Sequence, residues 1–236
     1  MKSRLFIASV VVSASCGLTL AGFDADYTGM TGVADSININ NTGSGGFINL
    51  DFAAGHNNFV YTDVGGMRGN GQFSGGSFST FCLELQNTLS GSRSYDVTDI
   101  QNAPNPSPGN GGPQYDLADE AEVHAVVAAA IRLGWINSDL SAGAGATNTR
   151  LAAVQGMLWK VVLDEAVVTG NGTVGTAMGE LQTEIDLDPS ATVAGLKAML
   201  NADSQDQLFV VPLPTAAFAG LLTLGGLAGV KRMRRS

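Results

Sequence analysis

The sequence is poor in the residues that most enzyme chemistry draws on. Its 236 residues include two histidines, two cysteines and two tryptophans. His56 and His124 have no metal-ligand spacing to Cys82, so a zinc site has little to build on. The acidic group Asp116, Asp119, Glu120 and Glu122 lacks the EF-hand loop pattern and reads as a solvated helix start. No Gly-x-Ser-x-Gly, phosphate-loop or dinucleotide fingerprint occurs. We therefore expect no metal and no cofactor.

Basic residues are scarce too, and half of them sit at the two ends. Lys2 and Arg4 open the chain, and Lys231, Arg232, Arg234 and Arg235 close it. Six cations (Arg68, Arg93, Arg132, Arg150, Lys160 and Lys197) face all 21 acidic residues between Asp24 and Asp206, a formal charge of 6 − 21 = −15. Such a surface repels phosphate backbones and excludes nucleic acid as a partner. Long apolar runs are confined to the termini. Leu5 to Val12, broken only by Ser9, follows the positive pair and leads to Thr19-Leu20-Ala21, the small-residue end of a secretion signal. We place signal peptidase cleavage after Ala21. The run is short for a stable membrane span. Ser13 stands three residues before Cys16, where a lipobox needs an apolar residue, which argues against lipidation.

At the other end, Val211-Pro212-Leu213-Pro214 interrupts the chain, because proline fixes φ and removes a donor. Thr215 to Val230 is an uncharged stretch of 16 residues, which spans a bilayer only with its flanks. The basic stop behind it holds that end in the cytoplasm. An ordinary tail anchor would show the same span and stop, and the glycines at 220, 225, 226 and 229 suit a helix-packing face. This arrangement resembles the PEP-CTERM sorting signal of Gram-negative bacteria, with Leu213 where Glu is usual. The resemblance implies an exosortase-type membrane protease as partner, transient anchoring in the inner membrane through the C-terminal helix, and delivery to the cell surface, outer membrane or medium. The chain thus divides into residues 1–21, a single exported body at 22–210, and a sorting tail at 211–236.

Within the body, short strands are expected at Ser36–Asn40, Phe47–Phe52, Asn58–Val64, Ser77–Leu85 and Ser94–Ile100, each bounded by Gly or Asn. Gln101 to Tyr115 carries four prolines and reads as a loop. Helices follow. One is capped by Asp116 and runs to about Leu133 or Trp135; another runs from Asn148 or Thr149 to Asp164. Shorter ones are expected at Thr176–Ile185 and Thr192–Leu200. Strands before helices indicate an α+β body, an N-terminal antiparallel β-sheet or sandwich with a helical subdomain, flanked by isolated N- and C-terminal hydrophobic helices.

Cys82 and Gln155 stand out. Once a signal is removed Cys82 has no intramolecular disulfide partner, which is unusual for an exported protein. Gln155 lies four residues after Leu151 and three before Leu158, on an apolar helix face where a lone amide is costly. A thiol beside that amide can displace ammonia and leave an internal thioester, a stored electrophile that must be kept from water. A packed cysteine and a glutamine that satisfies strand backbone would explain the same residues without chemistry. Phe81-Cys82-Leu83-Glu84 and Ala153-Val154-Gln155-Gly156-Met157-Leu158-Trp159 resemble the paired motifs of bacterial surface thioester domains, with Gly156 where a larger apolar residue is usual. The resemblance implies a Cys82–Gln155 crosslink. Glu84 is the acidic residue to test beside it, and Trp135 and Trp159 read as core aromatics.

The expected function is that of an exported, non-enzymatic surface or matrix protein, an adhesin if the thioester forms, with exopolysaccharide or a surface nucleophile as partner. The alternatives are an envelope carbohydrate-active hydrolase, for which no carboxylate pair is marked, and a passive exopolysaccharide-matrix component.

Overall fold

The computed structural model describes residues 22–40, 50–63, 76–85, 88–103, 115–163 and 167–211. The expected signal at 1–21, the expected sorting motif and tail beyond Val211, the expected proline loop at 104–114 and the first residues of the expected Phe47–Phe52 strand lie outside the described residues.

The described residues form seven strands and three α-helices, in the order β1 (Phe23–Asn40), β2 (Leu50–Asp63), β3 (Ser77–Cys82), β4 (Ser92–Thr98), α1 (Leu117–Arg132), α2 (Asn148–Val162), β5 (Val167–Gly170), α3 (Thr173–Leu187), β6 (Leu196–Leu200) and β7 (Gln207–Val210). A 3-10 turn at Ile100–Asn102 follows β4. The class is mixed α and β, as expected. All pairings between strands are antiparallel. The order β2-β3-β7-β6-β4-β1-β5, with β1 also paired to β2, closes six strands into a ring and leaves β5 beside the far half of β1.

Two expectations are corrected. The sheet is not an N-terminal unit, because β6 and β7 from the far end of the body complete it. The stretch Thr192–Leu200 is not a helix. Its Leu-Lys-Ala-Met-Leu core is built of helix formers, yet Leu196–Leu200 pairs with both β4 and β7; tertiary pairing overrides a weak local propensity.

Alternation sorts the strands into two faces. Inside the ring Phe23, Phe59, Tyr61, Tyr95 and Phe209 form an aromatic core. Tyr61 stacks on Phe78 at 4.3 Å and Phe23 meets Phe209 at 5.0 Å between centroids. The outer face, with Ile37, Ile39, Ala54, Phe81, Leu83 and Leu208, packs against the helices. Gly32 and Gly55 stand opposite each other in β1 and β2, and a Cβ on Gly32 would collide with the Ala54 carbonyl.

Side chains cap the starts of α1 and α2. Asp116 accepts from Ala118 N and Asp119 N, and Asp119 returns a bond to the Asp116 amide, a complete capping box at α1. The Thr147 hydroxyl accepts from Arg150 N at α2. Helix α2 is buried from Leu151 to Trp159 on every side, so it is the central rod between the sheet and the pair α1 and α3, rather than an amphipathic surface helix. Trp135 and Trp159 are buried, as expected of core aromatics.

Gly156 sets how close α2 lies. A Cβ there would be 2.5 Å from Ile37 Cδ1 and 3.0 Å from Met178 Sδ. We expect Gly156→Ala to leave stability within about 1 kcal/mol, because helix propensity offsets a small side-chain shift. Gly156→Leu should cost about 2–3 kcal/mol by overpacking. Chemical denaturation measures both; a Leu variant as stable as the parent would refute the close approach.

Candidate functional site

The structure brings Cys82 and Gln155 together. Cys82 ends β3, which lies between β2 and β7. The β2 pairing stops at Asn57 opposite Thr80, so the edge of Cys82 facing away from β7 has no strand beside it. Gln155 reaches that edge from α2. The Cys82 N–H donates to Gln155 Oε1 at 2.7 Å, and Gln155 Nε2 donates to the Cys82 carbonyl at 2.8 Å. The carboxamide thereby takes the place of a peptide group in a missing strand, and both of its ends are satisfied although Gln155 is only 1 % exposed.

The chain that leaves β3 is held just as closely. Leu83 N donates to the Asp206 carbonyl at 2.9 Å and the Tyr115 hydroxyl donates to the Leu83 carbonyl at 2.9 Å. Glu84 is buried, and its Oε1 accepts from Asp206 N at 3.1 Å. The acidic residue flagged beside the cysteine thus carries backbone at the mouth of β7.

The thiol points toward a group of amides that sequence reasoning did not single out. Cys82 Sγ donates to Gln205 Oε1 at 2.7 Å. Asn57 Nδ2 donates to Sγ at 3.0 Å and Gln207 Nε2 at 3.4 Å. The signal for Asn57 and Gln207 was strand parity. Asn57 alternates with Phe59 and Tyr61, and Gln207 with Phe209, so both share the face of the aromatic core. Burial pushes the Cys82 thiol up to about 12, against the opposing effect of the Gln207 and Asn57 donors. The sulfur is a neutral thiol at physiological pH.

The two histidines do not join this site. His56 Nε2 contacts the Leu140 carbonyl at 2.6 Å, and the ring lies 5.2 Å from Phe81. Leu140 has φ 65°, a left-handed conformation uncommon for a side chain of this kind, and His56 holds its peptide. His124 is half-buried on α1, and its Nδ1 accepts from Val193 N at 3.0 Å. Among the described residues no three His, Cys, Asp or Glu side chains gather as a metal site, and no helix is long and apolar enough to cross a membrane.

With that geometry in place, comparison with known proteins adds no relative. No family model matches the chain, and neither a curated protein nor a solved structure matches it.

Gln155→Leu leaves two buried backbone groups of Cys82 without partners. We expect a loss of about 2–4 kcal/mol in urea denaturation, with faster hydrogen exchange at the Cys82 amide; an unchanged amide would show that the bridge is absent. His56 adds a pH dependence. Burial holds its folded pKa below the ordinary 6.5. Between these two values the unfolded chain binds the proton and the folded one does not, so stability is complete above about 6.5 and falls as pH drops below it. Urea midpoints at about pH 7.5 and pH 5 should converge in His56→Gln relative to the parent; an unaltered difference would remove His56 as a source.

Proposed function

We propose that the chain is an exported surface or matrix protein whose body stores an internal thioester between Cys82 and Gln155 for a single covalent capture. The observation that carries this reading is the double hydrogen bond that fixes the Gln155 carboxamide against the cysteine's own backbone inside a buried setting. Three physical requirements of the chemistry are supported there. The acyl group is held beside the residue that bears the nucleophile, which limits the motion that attack requires. The Cys82 N–H already donates to Oε1, the atom on which negative charge develops during attack. The apolar surroundings of α2 keep water from the product.

In forming the bond, Cys82 Sγ joins Gln155 Cδ, the Cδ–Nε2 bond breaks, and Nε2 departs as ammonia with the thiol proton. In capture, an amine nitrogen joins Cδ, the Cδ–Sγ bond breaks, and the sulfur leaves as a thiol with the amine's proton. The capture is used once and is not turnover. Export, inner-membrane anchoring and exosortase-type processing, with final delivery to the surface or an exopolysaccharide matrix, rest on the sequence patterns at 1–21 and 211–236.

A second reading has an observation of its own. The Gln155 amide makes the two bonds that a neighbouring strand would make, and the thiol is neutral, so the pair also suits a purely structural lock in a passive matrix protein. Intact mass spectrometry of the protein recovered from exporting cells separates the two. The capture reading expects a chain that starts near Gly22, lacks the tail, weighs one ammonia less than its sequence, and regains full mass in Cys82→Ala. An unprocessed chain would sink export and sorting. A processed chain of full mass with a titratable thiol would sink the thioester.

A further inference from the structure

The buried amides around the sulfur suggest a role beyond packing, and their orientations are fixed by the network itself. Gln207 Oε1 accepts from Asn57 Nδ2 at 2.9 Å and from the Thr80 hydroxyl at 2.9 Å. With its oxygen so occupied, Gln207 must turn its NH2 group the other way, toward Sγ and the carbonyls of Gln205 and Asp206. Asn57 has one N–H for Gln207 and its other for Sγ; flipping it would set two oxygens against each other. Gln205 is held by its own Nε2, which donates to the Glu84 carbonyl at 2.5 Å, and so offers only Oε1 to the thiol. The sulfur therefore faces two fixed donors and one acceptor. A packed, inert cysteine behaves as a small hydrophobe and needs none of them.

We propose that Asn57 and Gln207 form a thiolate cradle that stabilises charge on Cys82 Sγ as it attacks Gln155 Cδ and as it departs during capture, while Gln205 Oε1 accepts the hydrogen bond of the thiol in the resting state. This rests on the thioester reading above. Sulfur carries negative charge at both transition states, and a leaving thiol departs faster when its conjugate base is stabilised. The charged and titratable groups nearest the sulfur offer no alternative source of stabilisation. Glu84 beside it acts against a thiolate. Tyr27 on β1 and Tyr95 on β4, both close enough to interact with Cys82, are themselves driven upward by burial and stay neutral. Asp206 is acidic and approaches Tyr95. Neutral N–H donors are what the pocket has to offer.

The test uses methylamine as nucleophile on the full body. Wild type, Asn57→Ala, Gln207→Met and Asn57→Ser are compared for the rate at which the ammonia-deficient mass gains one methylamine. The same proteins, once opened, have a free Cys82 whose iodoacetamide alkylation is followed against pH. We expect capture to slow about tenfold or more in Asn57→Ala and Gln207→Met. The alkylation profile should move to higher pH, and Asn57→Ser, with a shorter donor, should fall between. A merely structural role would change unfolding without moving the pH profile. Unchanged capture rates and an unmoved profile, in whichever variants fold, would overturn the cradle and leave the thioester standing. A wild-type protein with no mass deficit would overturn the thioester, and the pH profile of its free thiol would then decide the cradle alone.

Discussion

The carboxamide of Gln155 joins helix α2 to the open strand edge at Cys82 through two hydrogen bonds. Helix α2 is buried from Leu151 to Trp159 and packs closely on the sheet at Gly156, so the Gln155 amide in that stretch needs partners. The strand edge at Cys82, conversely, has a donor and an acceptor that no neighbouring strand reaches. One side chain answers both needs. It adds a directional contact to the packing of α2 on the sheet, and it satisfies a buried edge where water has no access. Because an unmade hydrogen bond in such a place costs more than a made one contributes, the bridge is worth more as specificity than as net stability.

Around this bridge the protein concentrates its buried polarity. Asn57, Thr80, Gln155, Gln205 and Gln207 lie within one neighbourhood at the end of β3, whereas Phe23, Phe59, Tyr61, Tyr95 and Phe209 lead the apolar cluster inside the ring. Asn57 and Gln207 hold each other, and Gln155 and Gln205 donate to backbone carbonyls, so the sulfur sits among dipoles that cannot reorient freely. A low-dielectric interior strengthens such a network and makes any gap in it expensive. The same setting that keeps the thiol protonated at rest supplies the groups able to stabilise it when charged.

Much of the helical half was legible in the sequence. Asp116 and Asn148 mark real starts because local capping decides helix boundaries, and the Cys82–Gln155 contact follows from a strand cysteine and an inward-facing helical amide. The strands were harder. Ser36–Asn40 proved to be the end of one long strand, whose first half hides its alternation behind Asp24, Asp26, Gly29 and Gly32. Leu196–Leu200 reads as helix by composition and is strand because β4 and β7 flank it, a fact held by residues far away in the chain. Asn57 and Gln207 were passed over because polar residues in strands are usually outward; their period-two relation to Phe59, Tyr61 and Phe209 was the clue. Gln205 lies before β7 starts and had no such marker.

Ring closure depends on the last strands in the chain. β3 finds its second neighbour only in β7, more than a hundred residues later, and β4 finds its own only in β6. A polypeptide emerging from a ribosome, N-terminus first, therefore exposes an unfinished sheet until nearly all of residues 22–210 have emerged. The cysteine gains its full set of amide neighbours at that same late moment, because Gln205 and Gln207 arrive with the closing strand. Assembly order alone thus withholds the finished sulfur environment from every partly emerged chain.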